Sequence, residues 1–282
     1  MILVTGATGK VGSAATGVLA QRGVPVRALV RDPEKAAALA QAGAEIAVGD
    51  FDDRASLDKA VLGVSTLVLV SPAVPEQELA VIAAAARAGV EHVVKATSKA
   101  SPDSPVGRRR GQARIEAGLA ASELAHTLLR SNAYMQNFLA LAPLIRTRHR
   151  FASSAGTGRV GLIDARDVGA VAAEIAANPD RLGGRTYWLT GPELLSYGDA
   201  ATTLSAVTGH EITFETRGEE QDRAAMITAG VPQAVATDNA RAFSLISEGD
   251  AAWMTDDAAL VLGRSPRTFR EFVADHAAAF TP

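Results

Sequence analysis

The feature that most constrains the fold of this chain is a glycine-rich turn between an apolar run and a helical pattern. Met1 to Thr5 reads as a short buried strand, and Gly6-Ala-Thr-Gly9-Lys-Val-Gly12 follows at once. Apolar residues at Val11, Ala14, Ala15, Val18 and Leu19 then recur at helical spacing. Strand, glycine turn and helix, in that order, is the context that a dinucleotide-binding fingerprint requires. Gly6 permits the tight turn, Gly9 lets backbone N–H groups approach a pyrophosphate, and Gly12 lets the helix pack closely on the sheet. The diphosphate is then expected at the helix N-terminus, where unpaired N–H groups and the dipole favour negative charge. Thr8, Lys10 and Val11 share the loop and are cofactor-contact candidates by position.

Strands and helices alternate after the turn. Pro25 to Val30 reads as a second strand ending at Arg31-Asp32, about 20 residues past the glycine loop, where a ribose-reading residue belongs. Arg31 suits a 2′-phosphate, and Lys35 stands at the start of the next helix. Asp32 either caps that helix or reaches the ribose. The pattern favours NADP(H) over NAD(H).

A helix from Pro33 to Ala42 and a strand at Glu45–Val48 lead to Asp50 and Phe51, which fall at the adenine edge of a doubly wound sheet or form a solvated turn with one buried aromatic. Further strands end at Ser71-Pro72 and at Thr97, and the second of these carries Lys95. The predicted fold class is α/β: a Rossmann, doubly wound parallel sheet with a smaller C-terminal α/β lobe. Residues 1–150 are expected to form the NAD(P)-binding core, with a strand and a helix returning to it from 160–190. Residues 151–282 are expected to form the smaller substrate or partner lobe.

Composition narrows the function classes. A net charge of −3 gives no electrostatic case for nucleic acid. The absence of cysteine excludes disulfides, thiolate catalysis and thiolate metal sites. No apolar run is long enough for a membrane span, and the first residues enter a strand directly. The expectation is a cytoplasmic protein with neither signal peptide nor membrane partner; a homodimer stays open. The five histidines, His92, His126, His149, His210 and His276, are scattered without metal-ligand spacing, so no metal is expected.

Chemistry is less legible. Four residues beyond Tyr134, Tyr187 and Tyr197 lie Phe138, Gly191 and Ala201, so the Tyr-x-x-x-Lys pair of ordinary short-chain reductases is missing. The catalytic candidates are Lys95, Asn132 and Tyr134. Lys95 either extends harmlessly from an apolar strand or contacts cofactor or substrate. Asn132 and Tyr134 follow the sixth strand and are expected to face the nicotinamide end, against a reading as helix cap and core aromatic. Asn132 and Lys95 are cofactor candidates too. Gln136 and Asn137 are weaker candidates. Asp164 and Asp167 read as caps and a loop brace, and Arg108-Arg-Arg110 as a solvated loop before a helix over residues 112–121.

The motifs Val4-Thr-Gly-Ala-Thr-Gly-Lys-Val-Gly12, Ala28-Leu-Val-Arg31-Asp32, Val93-Val-Lys95, Leu129-Arg-Ser-Asn132-Ala-Tyr-Met-Gln136-Asn137, Asp164-Ala-Arg-Asp167-Val and Gly263-Arg-Ser-Pro-Arg-Thr-Phe269 together carry a resemblance. Over nearly its whole length the chain resembles the NmrA-like branch of atypical short-chain dehydrogenase/reductases. That branch includes type-2 NAD(P)H:quinone oxidoreductases, triphenylmethane reductases and NADP-binding redox sensors. The resemblance implies an NADPH-dependent reductase of a quinone or other conjugated aromatic acceptor. The alternatives are a non-catalytic sensor acting through a protein partner, and a tailoring enzyme of aromatic natural products. One departure stands out: the family often has histidine where this chain has Gln112.

Overall fold

The first strand, β1 (Ile2–Val4), is buried along its length, as its unbroken apolar sequence requires of a strand covered on both faces. It leads through the glycine turn into α1 (Lys10–Gln21). Then β2 (Val26–Val30), α2 (Ala37–Gln41), β3 (Glu45–Val48), α3 (Arg54–Ala60), β4 (Thr66–Leu69), α4 (Pro75–Arg87), β5 (His92–Thr97), α5 (Gly107–Ala120) and β6 (Ala125–Ser131) alternate. Next come α6 (Asn137–Arg148), β7 (Arg150–Ser153), β8 (Arg159–Val160), α7 (Ala165–Ala177), α8 (Pro179–Leu182) and β9 (Thr186–Leu189). The remainder is β10 (Leu195–Ser196), α9 (Tyr197–Thr208), β11 (Thr213–Thr216), α10 (Glu219–Thr228), α11 (Gln233–Ser247), α12 (Asp257–Leu262), α13 (Phe269–Asp275) and α14 (Ala277–Phe280). This computed structural model describes residues 1–281. Among them no helix is long and apolar enough to cross a membrane.

Seven strands pair in parallel in the order β3-β2-β1-β4-β5-β6-β9. The order reverses between β1 and β4, so a crevice opens at their carboxyl ends, where ligands bind in doubly wound sheets. Alternation along the strands sends Val4, Ala28, Val68 and Val94 towards α1 and α7. The intervening Leu3, Leu29, Leu67 and Val93 pack towards α3, α4 and α5. Both faces are therefore covered.

Two elements from beyond residue 150 belong to this sheet: α7 packs on α1, and β9 adds the last strand. The rest builds a second core of aromatic rings. Phe138 of α6 lies 4.8 Å from Phe269 and 5.5 Å from Tyr197 between ring centroids, with Phe151 at 5.9 Å. A parallel pair, β7 with β11, and an antiparallel pair, β8 with β10, frame it.

Among the boundaries that differ from the sequence expectation, such as the helix expected from Pro33, which is a 3-10 turn until α2 begins at Ala37, two have a tertiary cause. The strand over residues 160–163 shortens to Arg159–Val160, because Ile163 pairs instead with the segment after β6, through Met135 N–H at 2.9 Å and Ala133 O at 3.0 Å. α5 begins at Gly107, five residues before Gln112, so the arginine run is helical rather than a solvated loop. Its first turn is capped from outside: Asp238 of α11 accepts from Gly107 N–H and Arg108 N–H, each at 2.8 Å. No local sequence signal encodes a cap that arrives from residue 238.

The α1–α7 contact depends on Gly169. A methyl group there would lie 2.6 Å from both Ala14 Cβ and Val11 O. Gly169→Ala is expected to lower the unfolding free energy by about 1–3 kcal/mol, the usual effect of overpacking a tight contact. Denaturant melts measure it, and an unchanged midpoint would show that the two helices yield without cost.

Candidate functional site

The site is built around the turn from β1 into α1. Gly6 has φ +55°, and a side chain there would meet Val70 O at 2.6 Å. Thr5 joins the same strands: its Oγ1 donates to Val70 O at 2.8 Å and accepts from Val70 N–H at 2.9 Å. A methyl on Gly12 would strike the Gly6 carbonyl, so the third glycine packs against the loop itself. Gly9 differs from both. A methyl there would meet only Gly6 O, at 3.1 Å, and otherwise enter open space. Thr8, Gly9 and Lys10 are exposed.

No side chain caps α1, and no acid occupies its first turn. Asp53, Asp164, Ser196 and Thr268 cap α3, α7, α9 and α13, whereas α4, α6 and α11, like α1, have no side-chain cap. The first-turn N–H groups of α1 thus lack partners and carry the positive end of the helix dipole, a ready site for phosphate. Lys10 adds a cation, its Nζ donating to Gln136 O at 3.2 Å; desolvation lowers its pKa.

At the end of β2, Arg31 is exposed and has no ion-pair or hydrogen-bond partner among the described residues. Asp32 is a cap: its Oδ1 accepts from Glu34 N–H at 3.0 Å, and Oδ2 lies 3.4 Å from Lys35 Nζ. The acid that could have read the ribose is therefore engaged, while the guanidinium is free. After β3, Asp50 turns the chain, accepting from Asp52 N–H at 3.0 Å, and Phe51 leans on the α3–α4 core.

Ser71 after β4, and Lys95 and Thr97 at the end of β5, turn inward. Ser71 Oγ donates to Glu78 Oε1 at 2.5 Å, while Pro72 beside it is exposed. Lys95 does not open on the site. It follows Val93 to the α4 side of the sheet, where Nζ lies 2.9 Å from Glu78 Oε2 and donates to Ala96 O. Both side chains are fully buried, and desolvation lowers the lysine pKa against the opposing pull of Glu78. Lys95 thus lies in a buried ion pair on the α4 side of the sheet rather than at the crevice expected of a catalytic or cofactor contact, and strand alternation is the reason. Thr97 Oγ1 lies 3.0 Å from Gln112 Oε1 and 2.9 Å from Glu116 Oε1. Glu116 pairs with Arg130, whose guanidinium stacks 5.1 Å over Trp188. Gln112 stands where the family often has histidine, and its amide oxygen is held by Thr97.

Beyond β6, Asn132 Nδ2 donates to Ala251 O at 3.0 Å and its Oδ1 accepts from Ala133 N–H at 2.9 Å, tying sheet to lobe. Tyr134 is half-buried beside Ser131, and partial desolvation raises its pKa. Gln136 Nε2 donates to Asp164 Oδ1 at 2.7 Å and its Oε1 accepts from Ala165 N–H at 2.9 Å, whereas Asn137 is exposed. Burial pushes the Asp164 carboxyl up, but hydrogen bonds from Arg166 and Gln136 outweigh it and hold the pKa below the usual range. Asp167 is buried and accepts from Arg264 at 2.7 Å and from Arg267 N–H and side chain at 2.7 and 2.5 Å. Both aspartates are braces.

Sequence reasoning missed two groups. The arginine run is a clamp: Arg108 reaches Asn239 Oδ1 at 2.6 Å and Arg109 reaches Asp250 Oδ2 at 2.7 Å, with Lys99 on Asp250 Oδ1 at 2.6 Å. Glu78 was missed as well, though a signal existed. It occupies the apolar stripe of α4 with Val81, Ile82 and Ala85.

An open glycine turn at the switch point of a doubly wound sheet, with an unpartnered arginine after the second strand, defines a dinucleotide-binding Rossmann protein. Residues 1–273 match the NmrA-like family, and the chain belongs to it. It is 37% identical to an NAD(P)H azoreductase of Xenophilus azovorans, over 99% of each chain. Identity is also 37% to a (4-alkanoyl-5-oxo-2,5-dihydrofuran-3-yl)methyl phosphate reductase of Streptomyces griseus, over 100% of each. In three dimensions it is similar to an NADPH-dependent quinone oxidoreductase of Escherichia coli solved with NADPH: TM-score 0.90 at 30% identity, covering 98% of this chain and 100% of the other.

Gly9→Val is expected to abolish dinucleotide binding while the chain still folds, because a branched side chain enters the space above α1. Titration alongside circular dichroism tests this. Full affinity in the folded variant would place the pyrophosphate elsewhere.

Proposed function

We propose that this protein is an NADPH-dependent oxidoreductase that transfers hydride to a quinone or another conjugated aromatic acceptor. One observation carries the reading: at the carboxyl edge of the sheet the groups suited to a dinucleotide are free, whereas Lys95 is buried in an ion pair, Asn132 is engaged, and the half-buried Tyr134 has its phenol pKa raised with no lysine beside it to lower it. The relatives support an enzyme over a sensor, since those named above are reductases.

NADP(H) is the cofactor, and its reduced nicotinamide supplies the hydride when bound. The first turn of α1 holds the diphosphate, with Thr8, Gly9 and Lys10 around it. Arg31 pairs with the 2′-phosphate and Lys35 adds positive charge nearby, while Asp50 and Phe51 border the adenine. The loop after β4, with Ser71 and Pro72, stands beside the glycine turn. The cytoplasm, where NADPH is regenerated, is the proposed location.

The acceptor class follows from the missing acid. Hydride added to a simple ketone leaves an alkoxide that needs a proton as it forms. A quinone spreads the incoming charge over its ring, giving a hydroquinone monoanion that solvent protonates. Tyr134 is half-buried, and partial desolvation holds its phenol above the ordinary pKa, so it is a weaker acid than a tyrosine with a lysine beside it. What remains for the protein is to position donor and acceptor and to exclude water. Initial rates of NADPH oxidation with quinones, azo dyes and simple ketones, beside a cofactor-only control, test the reading. Quinones or azo dyes are expected to turn over fastest. Faster ketone reduction overturns it, as does tight NADPH binding without turnover of any acceptor, which favours a sensor.

Two substitutions sharpen the assignment. Arg31→Ala is expected to weaken NADPH binding by about 1.5–3 kcal/mol and leave NADH nearly unchanged, as loss of a charge-assisted hydrogen bond predicts. Equal losses for both cofactors in a titration would remove Arg31 from the 2′-phosphate. Tyr134→Phe is expected to retain quinone reduction, with a loss well below the roughly 10²–10⁴-fold of a deleted general acid. Steady-state kinetics beside a binding titration separates lost affinity from lost chemistry. Collapse of turnover with binding intact would make that tyrosine the acid.

A further inference from the structure

Glu78 and Lys95 form an ion pair with no exposed side-chain area, on the side of the sheet away from α1. Taking two charges out of water costs more than their attraction returns unless the geometry is excellent, and apolar replacements are often at least as stable. The geometry here is incomplete. Glu78 Oε2 makes no aligned hydrogen bond, and Lys95 Nζ at 2.9 Å is its cationic neighbour. Stability alone is a weak reason for such a pair.

The other carboxylate oxygen shows what the pair holds. Glu78 Oε1 accepts from Ser71 Oγ at 2.5 Å, and Ser71 Oγ accepts in turn from Ala73 N–H at 2.9 Å. Ala73 has φ 65°, in the left-handed region, where an alanine pays for its Cβ and a glycine does not. The residue preceding Ser71 is Val70, whose carbonyl abuts Gly6 and bonds to Thr5. A chain of contacts therefore runs from Lys95 through Glu78, Ser71 and the strained Ala73 to the wall of the glycine turn. Within this loop Pro72 and Val74 are exposed while Ser71 is turned inward, so its polar side chain works on the loop itself.

We propose that Glu78 and Lys95 are positioning residues for the cofactor: the buried pair fixes Ser71, which holds residues 70–74 against the glycine turn in the shape that receives the dinucleotide. The proposal rests on the NADPH reading above. Lys95 orients the carboxylate, the carboxylate orients the serine, and the serine holds a backbone conformation that Ala73 would otherwise leave. None of the three side chains needs to touch the cofactor.

The test uses the full chain and NADPH itself, with wild-type binding measured first; failure there overturns the cofactor reading and is distinguishable from failure of this proposal. Glu78→Leu/Lys95→Met removes both charges and the acceptor of the Ser71 hydrogen bond at similar volume. Its apo melting temperature is expected to stay close to wild type, while the NADPH dissociation constant rises about tenfold, the scale of one relaxed loop conformation. Adding Ala73→Gly to that background is expected to recover about threefold to tenfold of the affinity, because glycine adopts the left-handed conformation without the network. Glu78→Asp provides an independent arm: it keeps the charge pair, withdraws the carboxylate from Ser71, and is expected to raise the dissociation constant with the same rescue by Ala73→Gly. A lowered melting temperature with unchanged affinity in both arms would make the pair merely structural and overturn the proposal. Lost affinity that Ala73→Gly fails to rescue would overturn it too, since the loop would not be the means.

Discussion

The close approach of the glycine turn to the end of β4 is the constraint on which the rest of this molecule depends. Gly6 can adopt its left-handed conformation and sit against Val70 O only because it has no side chain. That contact, with the two hydrogen bonds between Thr5 and Val70, fixes the carboxyl ends of β1 and β4 at the point where strand order reverses. The start of α1 is then aimed at the crevice with its first-turn N–H groups unpartnered. Those N–H groups suit an anion, because they carry the positive end of the helix dipole and have no partner in the chain.

Around this fixed point the chain is held together by charges that cross between sheet and lobe. Asp238 caps α5, Asp250 gathers Lys99 and Arg109, and Asp167 gathers Arg264 and Arg267. Each carboxylate collects donors from a segment distant in sequence. Carboxylates with several donors are worth more than isolated surface pairs, because geometry is shared and solvent is partly excluded. The lobe is thereby set over the carboxyl edge of the sheet, and Asn132 adds a neutral tie through Ala251.

The same engagement shapes the chemistry. Polar side chains along the carboxyl edge of the sheet are mostly buried, paired or capping. Lys95 faces Glu78, Thr97 faces Gln112 and Glu116, and Gln136 holds Asp164. A site with few free proton donors suits acceptors that take hydride and delocalise the charge themselves, and it relies on placement rather than on an ionising group.

The sequence by itself determined the sheet, the family of cofactor, and the placing of the glycine turn and Arg31 at the carboxyl edge of that sheet. Those signals are local: an unbroken apolar strand, three glycines at fixed spacing, helical periodicity and an arginine at the end of β2 all act within a few residues of one another. Only the tertiary structure decided what Lys95, Asn132 and the arginine run do. Strand alternation could send Lys95 to either face, and its burial with Glu78 depended on how α4 packs across β5. Asp32 was open between cap and ribose until the turn after β2 closed on Glu34. The start of α5 was invisible because its cap comes from Asp238, more than a hundred residues away. Backbone preferences are written locally, but the partner of a charged side chain is set by which distant segments the fold brings within hydrogen-bonding reach.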